Sequence, residues 1–277
     1  RWYQVNYREL HPSDYSQVLD DLIEISDPLL NKQISPYMTK WFTKKAKQLS
    51  RRFLERELED VDAFYEEFYH IAMIAANRLR ARINPPVETD SAYFRNMTHS
   101  YGDAATFACK LQHLPKWKDR CLDALMDSMD LYVENGTPKD KEDVNNLVDN
   151  AFWHSANFLR DDGNYPKWRG REFEFELKKA EYAKRNKLTE TQQKALSNAH
   201  LLALSIFHFT GEFQWFRNFL IVGEEIADTH LREGDLATAS RHYAKIKIGY
   251  QILMEKRGID TTKDIAEMRQ RAQELGK

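Results

Sequence analysis

Cysteine is nearly missing from this chain: Cys109 and Cys121 are the only two in 277 residues. Two cysteines cannot staple a small secreted fold, and their C-x11-C spacing is neither a metal nor a redox signature. They read first as two partly buried thiols, with a bond across a helical hairpin as the alternative. Glycine (10) and proline (8) are scarce as well, and they fall between segments rather than inside them. Charge of one sign is not in excess: 41 Lys+Arg face 43 Asp+Glu, a net charge of -2. That balance argues against a general polyanion binder and leaves room only for a local basic patch. A long hydrophobic run is lacking too. The longest charge-free stretch with much apolar content, 195–211, carries Ser197, Asn198, His200, Ser205 and His208 and makes a poor membrane span. There is no G-x-G-x-x-G, P-loop, C-x-x-C, H-E-x-x-H or G-x-S-x-G pattern, so no familiar motif announces a chemistry.

What is present predicts an all-α protein. Apolar residues make up 42% and charged residues 30%, with a mean hydropathy of -0.70, as expected of a soluble, helix-rich chain. The glycines and prolines cut it into blocks of about 20 residues carrying a 3.6-residue apolar period, and none alternates as a strand would. The segment 37–83 has neither glycine nor proline. Its stripe Leu54, Leu58, Val61, Tyr65, Phe68, Ala72, Ala75 and Leu79 follows a heptad and predicts a long helix or a bent helix pair. Two short helices, 91–101 and 104–112, are expected to break at Gly102. Further helices are expected at 116–134, 137–160, 172–185, 189–210, 212–232, 235–256 and 262–275. Thr137-Pro138 opens one of them, and Thr189 with Gln192 forms a capping box for another. The organisation predicted is an N-terminal arm and long-helix region, 1–86, followed by helical hairpins over 87–277, the two packed as one unit. Two N-x-T sequons, at Asn96 and Asn135, are unremarkable in a chain this long.

An internal echo supports the hairpins. Ala105-Thr106-Phe107 leads to Leu114-Pro115-Lys116-Trp117, and about 50 residues later Ala156-Asn157-Phe158 leads to Tyr165-Pro166-Lys167-Trp168. A weaker third copy is Ser205-Ile206-Phe207 followed by Trp215. In each, an aromatic late in one helix is expected to face a tryptophan early in the next. The run from Gly234 to Tyr243 resembles the turn and second helix of a tetratricopeptide repeat, with Gly234 in the turn, Ala239 as the small packing residue and Tyr243 as the aromatic. Ala227 matches the small residue of the first helix. His230 stands where an aromatic is usual, and the proline expected at the repeat end is missing. The resemblance implies a degenerate tetratricopeptide- or pentatricopeptide-like α-solenoid. Members of the first kind imply protein scaffolding, and of the second, binding of single-stranded RNA.

Residues that could carry chemistry are few. Glu67-x-x-His70, with Asp62 and Glu66 nearby, has the spacing of one half of a carboxylate-bridged di-iron site, but a second such motif is lacking. The expectation is a solvated or hydrogen-bonded pair, with no metal and no cofactor. His200 and His208 share one helix face and read as ordinary hydrogen-bonded histidines. Asp161-Asp162 reads as an exposed turn, with a binding loop as the alternative. Lys40, Lys44, Lys45, Lys47, Arg51 and Arg52 form a run without an acid. It is a candidate contact for RNA, anionic lipid headgroups or an acidic partner, or a plain solvated face. Trp2, Tyr3 and Tyr7 lie in a stretch without helical period and read as an arm that docks on its own bundle or on another subunit.

The function expected is a non-enzymatic scaffold or accessory subunit of a larger assembly. Degenerate repeats, abundant aromatics and a first residue, Arg1, other than Met resemble the accessory subunits of mitochondrial complexes such as ATP synthase, the respiratory complexes or the mitoribosome. This implies protein-subunit partners, a mitochondrial or otherwise cytoplasmic location, and contact with a membrane surface at most. A helical-repeat RNA-binding protein is the first alternative. An enzyme is the second, and it requires a pocket of clustered histidines and carboxylates.

Overall fold

The computed structural model describes Asp62, Tyr65, Glu66, Tyr69, His70, Ala72, Met73, Ala76, Asn77, Arg80 and residues 92–275 except Ile259. Among these residues every element is helical. Eight α-helices have defined ends: α1 (Ala92–Lys110), α2 (Pro115–Asn135), α3 (Lys141–Asp162), α4 (Tyr165–Arg185), α5 (Thr189–Thr210), α6 (Phe213–Arg232), α7 (Leu236–Arg257) and α8 (Thr262–Leu275). A 3-10 turn, Pro138–Asp140, precedes α3. No helix of the described residues is long and apolar enough to cross a membrane. The chain divides into two compact units between Ser128 and Met129, within α2.

In the first unit the described residues of 62–80 are helical, and Tyr65, Tyr69, Ala72 and Ala76 are buried. The remainder of the predicted long helix lies outside the described residues. The break expected at Gly102 does not occur, and α1 runs through it. Phe94, Met97, Tyr101, Ala104, Ala105 and Ala108 are all buried, at helical spacing. That continuous apolar stripe outweighs the roughly 1 kcal/mol a glycine costs in a helix interior. Cys109 and Cys121 are joined by a disulfide with Cα atoms 5.5 Å apart, so the reading of two thiols is corrected to the hairpin bond. The short α1–α2 connection brings the two positions opposite one another. Trp117, wholly buried, meets the edge of Tyr69 at 5.0 Å, and the Arg120 guanidinium lies 4.5 Å from its ring.

In the second unit each helix packs on its neighbours in sequence, so the chain from α3 to α8 is a stack of helical hairpins. The turns explain the geometry. α3 ends on Gly163, in the left-handed region at φ 68°, whose N–H donates to the Leu159 carbonyl; a side chain is disfavoured at that φ. Asn164 then caps α4, accepting from the Lys167 N–H. The helix expected from 172 therefore starts at Tyr165, because Pro166 in its first turn sits where its missing N–H is not needed. Phe158 and Trp168 face each other at 5.1 Å across this turn, as the echo predicts. The other two copies differ. Phe107 meets Tyr65. Phe207 packs on Phe213 and Phe216, while Trp215 stands edge-on to Phe173 of α4. The capping box expected at Thr189 also fails to form: Leu188 occupies the N-cap and Gln192 is buried. At the α6–α7 turn Asp235 caps α7 by accepting from the Thr238 N–H, and Ala227, Ala239 and Tyr243 are wholly buried.

Gly136 joins α2 to the 3-10 turn, under Tyr182, whose hydroxyl donates to the Thr137 carbonyl. A Cβ at Gly136 would collide with the Tyr132 carbonyl and lie 2.7 Å from the Tyr182 ring. Gly136→Ala is expected to destabilise the second unit by about 1–3 kcal/mol, read as a lower urea midpoint at unchanged slope. Reduction of the Cys109–Cys121 bond, which spans 12 positions, is expected to cost the first unit up to about 3 kcal/mol by the loop-entropy relation. Hydrogen exchange of α1 and α2 with and without reductant checks it.

Candidate functional site

The sequence presents α4 as a charged helix, yet only part of its charge faces water. Phe173, Leu177 and Ala180 recur at helical spacing and make an apolar stripe. α5 lies alongside with Ala195, Leu196, Ala199 and Ala203, and α6 follows with Val222 and Ile226. These residues enclose the core of the stack. Where α4 and α6 rise on either side of α5 they leave a groove of about 350 Å³. Its walls and floor are Phe173, Leu177, Ala180, Leu196, Ile221 and Val222, and its polar rim is Glu181, Lys184, Gln192, Asn218 and Glu225. Ile221 is 49% exposed, so an apolar side chain stands open at the groove edge.

The rim is tied across the groove. Lys184 Nζ of α4 lies 2.7 Å from Glu225 Oε1 of α6. The same oxygen accepts from Arg232 at 3.3 Å and from Gln192 at 3.5 Å. These are partly exposed contacts, worth at most about 1 kcal/mol each, so a ligand group of either charge can exchange with them cheaply. The apolar floor offers the larger gain, about 25 cal/mol per Å² of surface covered.

Elsewhere on α4 two carboxylates are taken into the protein. Glu172, 1% exposed, pairs with Arg169 at 2.5 Å. Glu176, 2% exposed, accepts from the Asn198 amide at 2.7 Å, while its Oε2 has no hydrogen-bond partner. Burial pushes both carboxyls above the usual range; Arg169 opposes this at Glu172, and the Asn198 bond and the charges of Lys179 and Lys194 oppose it at Glu176. Glu176 can hold a proton at a helix–helix contact, but it does not line the groove.

Large apolar side chains also remain in water on alternate helices. Trp153 of α3 and Leu201 and Phe209 of α5 are each 64% exposed, and Ile248 and Ile252 of α7 are 54% and 41% exposed. Tyr165 packs on Phe209 at 4.5 Å and bonds to Ser205, which holds that aromatic pair in place.

The residues picked from sequence are placed as follows. Lys40, Lys44, Lys45, Lys47, Arg51 and Arg52, and the arm residues Trp2, Tyr3 and Tyr7, lie outside the described residues, as does Glu67. His70 lies 3.8 Å from Glu66 and edge-on to Tyr69, while Asp62 pairs with His113 at 2.7 Å. Asp161 and Asp162, read as an exposed turn, are exposed in the last turn of α3, where Asp162 accepts from the Trp168 indole at 2.7 Å and from the Asn164 N–H at 3.0 Å. His200 is half-buried and stacked on Phe219, and His208 is exposed beside Phe207. The groove itself was not found from sequence, because its lining comes from three helices whose residues each read as ordinary core or surface.

No family model matches the chain, and no curated protein matches it significantly. Among solved structures it is similar to a de novo designed helical repeat protein, at 15% identity over 87% of this chain and 94% of that one, with a TM-score of 0.25. It is also similar to the DHF119 filament, at 14% identity over 76% and 92%, with a TM-score of 0.30. A third is a designed self-assembling cyclic homo-oligomer, at 13% identity over 94% and 96%, with a TM-score of 0.24. At such scores these likenesses carry no argument, and the helical-hairpin architecture rests on the chain's own packing.

A test of the buried carboxyl follows from its raised pKa. The folded state binds the Glu176 proton more tightly than the unfolded chain does, so this group's contribution is fully present below the unfolded value and is lost as pH rises through the folded one. Glu176→Gln is expected to flatten the loss of stability between mildly acidic and neutral pH, with urea midpoints across that range as the readout.

Proposed function

We propose that this chain is a non-enzymatic scaffold subunit of a larger protein assembly, and that its second unit receives a partner chain in the α4–α6 groove. The observation that carries the reading is the exposure of Trp153, Leu201, Phe209, Ile221, Ile248 and Ile252 to water. Monomeric surfaces seldom leave so many large apolar side chains exposed without a use for them. Aromatic and aliphatic anchors of this kind contribute most of the energy of protein interfaces. An amphipathic helix fits best: its apolar anchor would cover Ile221 and Leu177, and its flanking charges would exchange with Lys184 and Glu225.

A mitochondrial complex is the setting we propose for such a subunit, on the resemblance of its degenerate repeats to accessory subunits. The RNA-binding alternative rests on the Lys40 to Arg52 run. It requires an affinity that falls steeply with salt.

The test is recovery of native partners on the full chain at moderate salt. Ile221→Asp is expected to lower partner recovery at least tenfold while shifting stability by no more than about 0.5 kcal/mol, because the side chain is at the surface. Undiminished recovery would remove the groove from the interface, and recovery of RNA without protein would favour the alternative.

A further inference from the structure

Three histidines lie on three consecutive helices of the second unit, and each stacks on a ring of a neighbouring helix. His200 of α5 lies flat on Phe219 of α6, with ring centroids 3.8 Å apart and planes 8° apart. A Cβ on Gly223 of α6 would lie 3.4 Å from His200 Nε2, so the imidazole fills the space that this glycine leaves. His230, in the last turn of α6, stacks on His242 of α7 at 5.7 Å and 17°. All three are half-buried. We propose that His200, stacked on Phe219, and His242, stacked on His230, form an acid-sensitive clasp that holds α5, α6 and α7 together while His200 and His242 are neutral and loosens when they are protonated.

The charges around the cluster set its sign. His200 faces Phe219 and Gly223 on α6 and the positive potential of His242 on α7. His242 faces His230 on α6 and has Arg241 and Lys245 beside it on its own helix. Among the described residues the carboxylates paired with this group are those at His230, Glu233 at 3.8 Å and Asp235 at 3.7 Å, and Glu233 is already bonded to Gln193 of α5. Burial, then the charge of His242, pushes His200 down to about 4. Burial, then the charges of His230, Lys245 and Arg241, pushes His242 down as well. A histidine lowered in the folded state stays neutral there while the unfolded or opened chain takes up the proton at about 6.5. Stability present above pH 6.5 is therefore lost as pH falls from about 6.5 towards 4. The buried carboxyls Glu172, Glu176 and Glu224 are raised by burial and act in the opposite direction. The histidine effect must be isolated by comparing variants.

The experiment is hydrogen exchange of the full chain at pH 7.5 and 5.0, corrected for the intrinsic rate and read over peptides of α5, α6 and α7. In the unaltered chain the opening constant of these helices is expected to rise on the order of ten- to thirty-fold at pH 5.0. In His200→Gln/His242→Gln the rise should fall below about threefold by the same relation. If that variant does not fold, His230→Gln decides. Removing the charge that opposes protonation of His242 should make the acid rise smaller than in the unaltered chain. No acid rise in the unaltered chain, or an equal rise in the variant that folds, would overturn the proposal.

Discussion

Close approach of helices through small residues is the constraint on which the second unit depends. Ala195, Ala199 and Ala203 occupy one face of α5 at four-residue intervals and are wholly buried. Side chains this short share one buried cluster with Phe173 of α4 and Val222 of α6. Four-residue ridges of this kind are the usual way two helices interdigitate. The α6–α7 contact uses the same device: a Cβ at Gly249 would land on Leu220, and one at Gly223 would lie 3.4 Å from Ile246. Because α5 is slender, α4 and α6 come near enough for Lys184 to reach Glu225 over it. The groove is thus a consequence of the packing and needs no special loop.

The ends of the stack are held by polar contacts. Arg185 donates to the Val133 and Glu134 carbonyls at the end of α2, where a cation suits the helix dipole. Tyr243 donates to Asp228, which also pairs with Arg271 of α8 at 2.6 Å, and Tyr250 donates to Glu224 at 2.5 Å. Burial, then the Asp228 bond, pushes the Tyr243 hydroxyl up to about 12, so it stays a donor at any physiological pH. Contacts of this sort fix how each hairpin meets the next. They leave the exposed Trp153, Leu201 and Ile248 unaccounted for by folding, which is why a partner is invoked.

Most helices were legible because their signals are local. Thr137-Pro138 marks a start, Gly163, Gly211 and Gly258 mark ends, and the expected spans 189–210 and 262–275 are those observed for α5 and α8. Errors arose where tertiary packing outweighed a local signal. Gly102 reads as a break but is carried by the buried stripe around it, and Pro166, expected ahead of a helix from 172, lies in the first turn of α4. The C-x11-C pair left thiols and a hairpin bond both open, since the choice depends on how α1 meets α2, and the bond is the one that forms. The candidate site was the least legible part. Leu177, Lys184, Leu196, Ile221 and Glu225 become a groove only when three helices are laid side by side, and His200 meets Phe219, and His230 meets His242, the same way. Neither grouping leaves a spacing in the chain.

A partner chain seated against the second unit is the central feature of the proposed function. Cross-linking the native assembly with an amine-reactive reagent, followed by mass spectrometry, tests it most directly, because Lys184 stands on the groove rim and Lys178 and Lys187 lie on α4 and the turn after it. The account predicts links from these lysines to one other protein at fixed stoichiometry. Links confined to this chain, with the protein recovered at the mass of a free monomer, would contradict it.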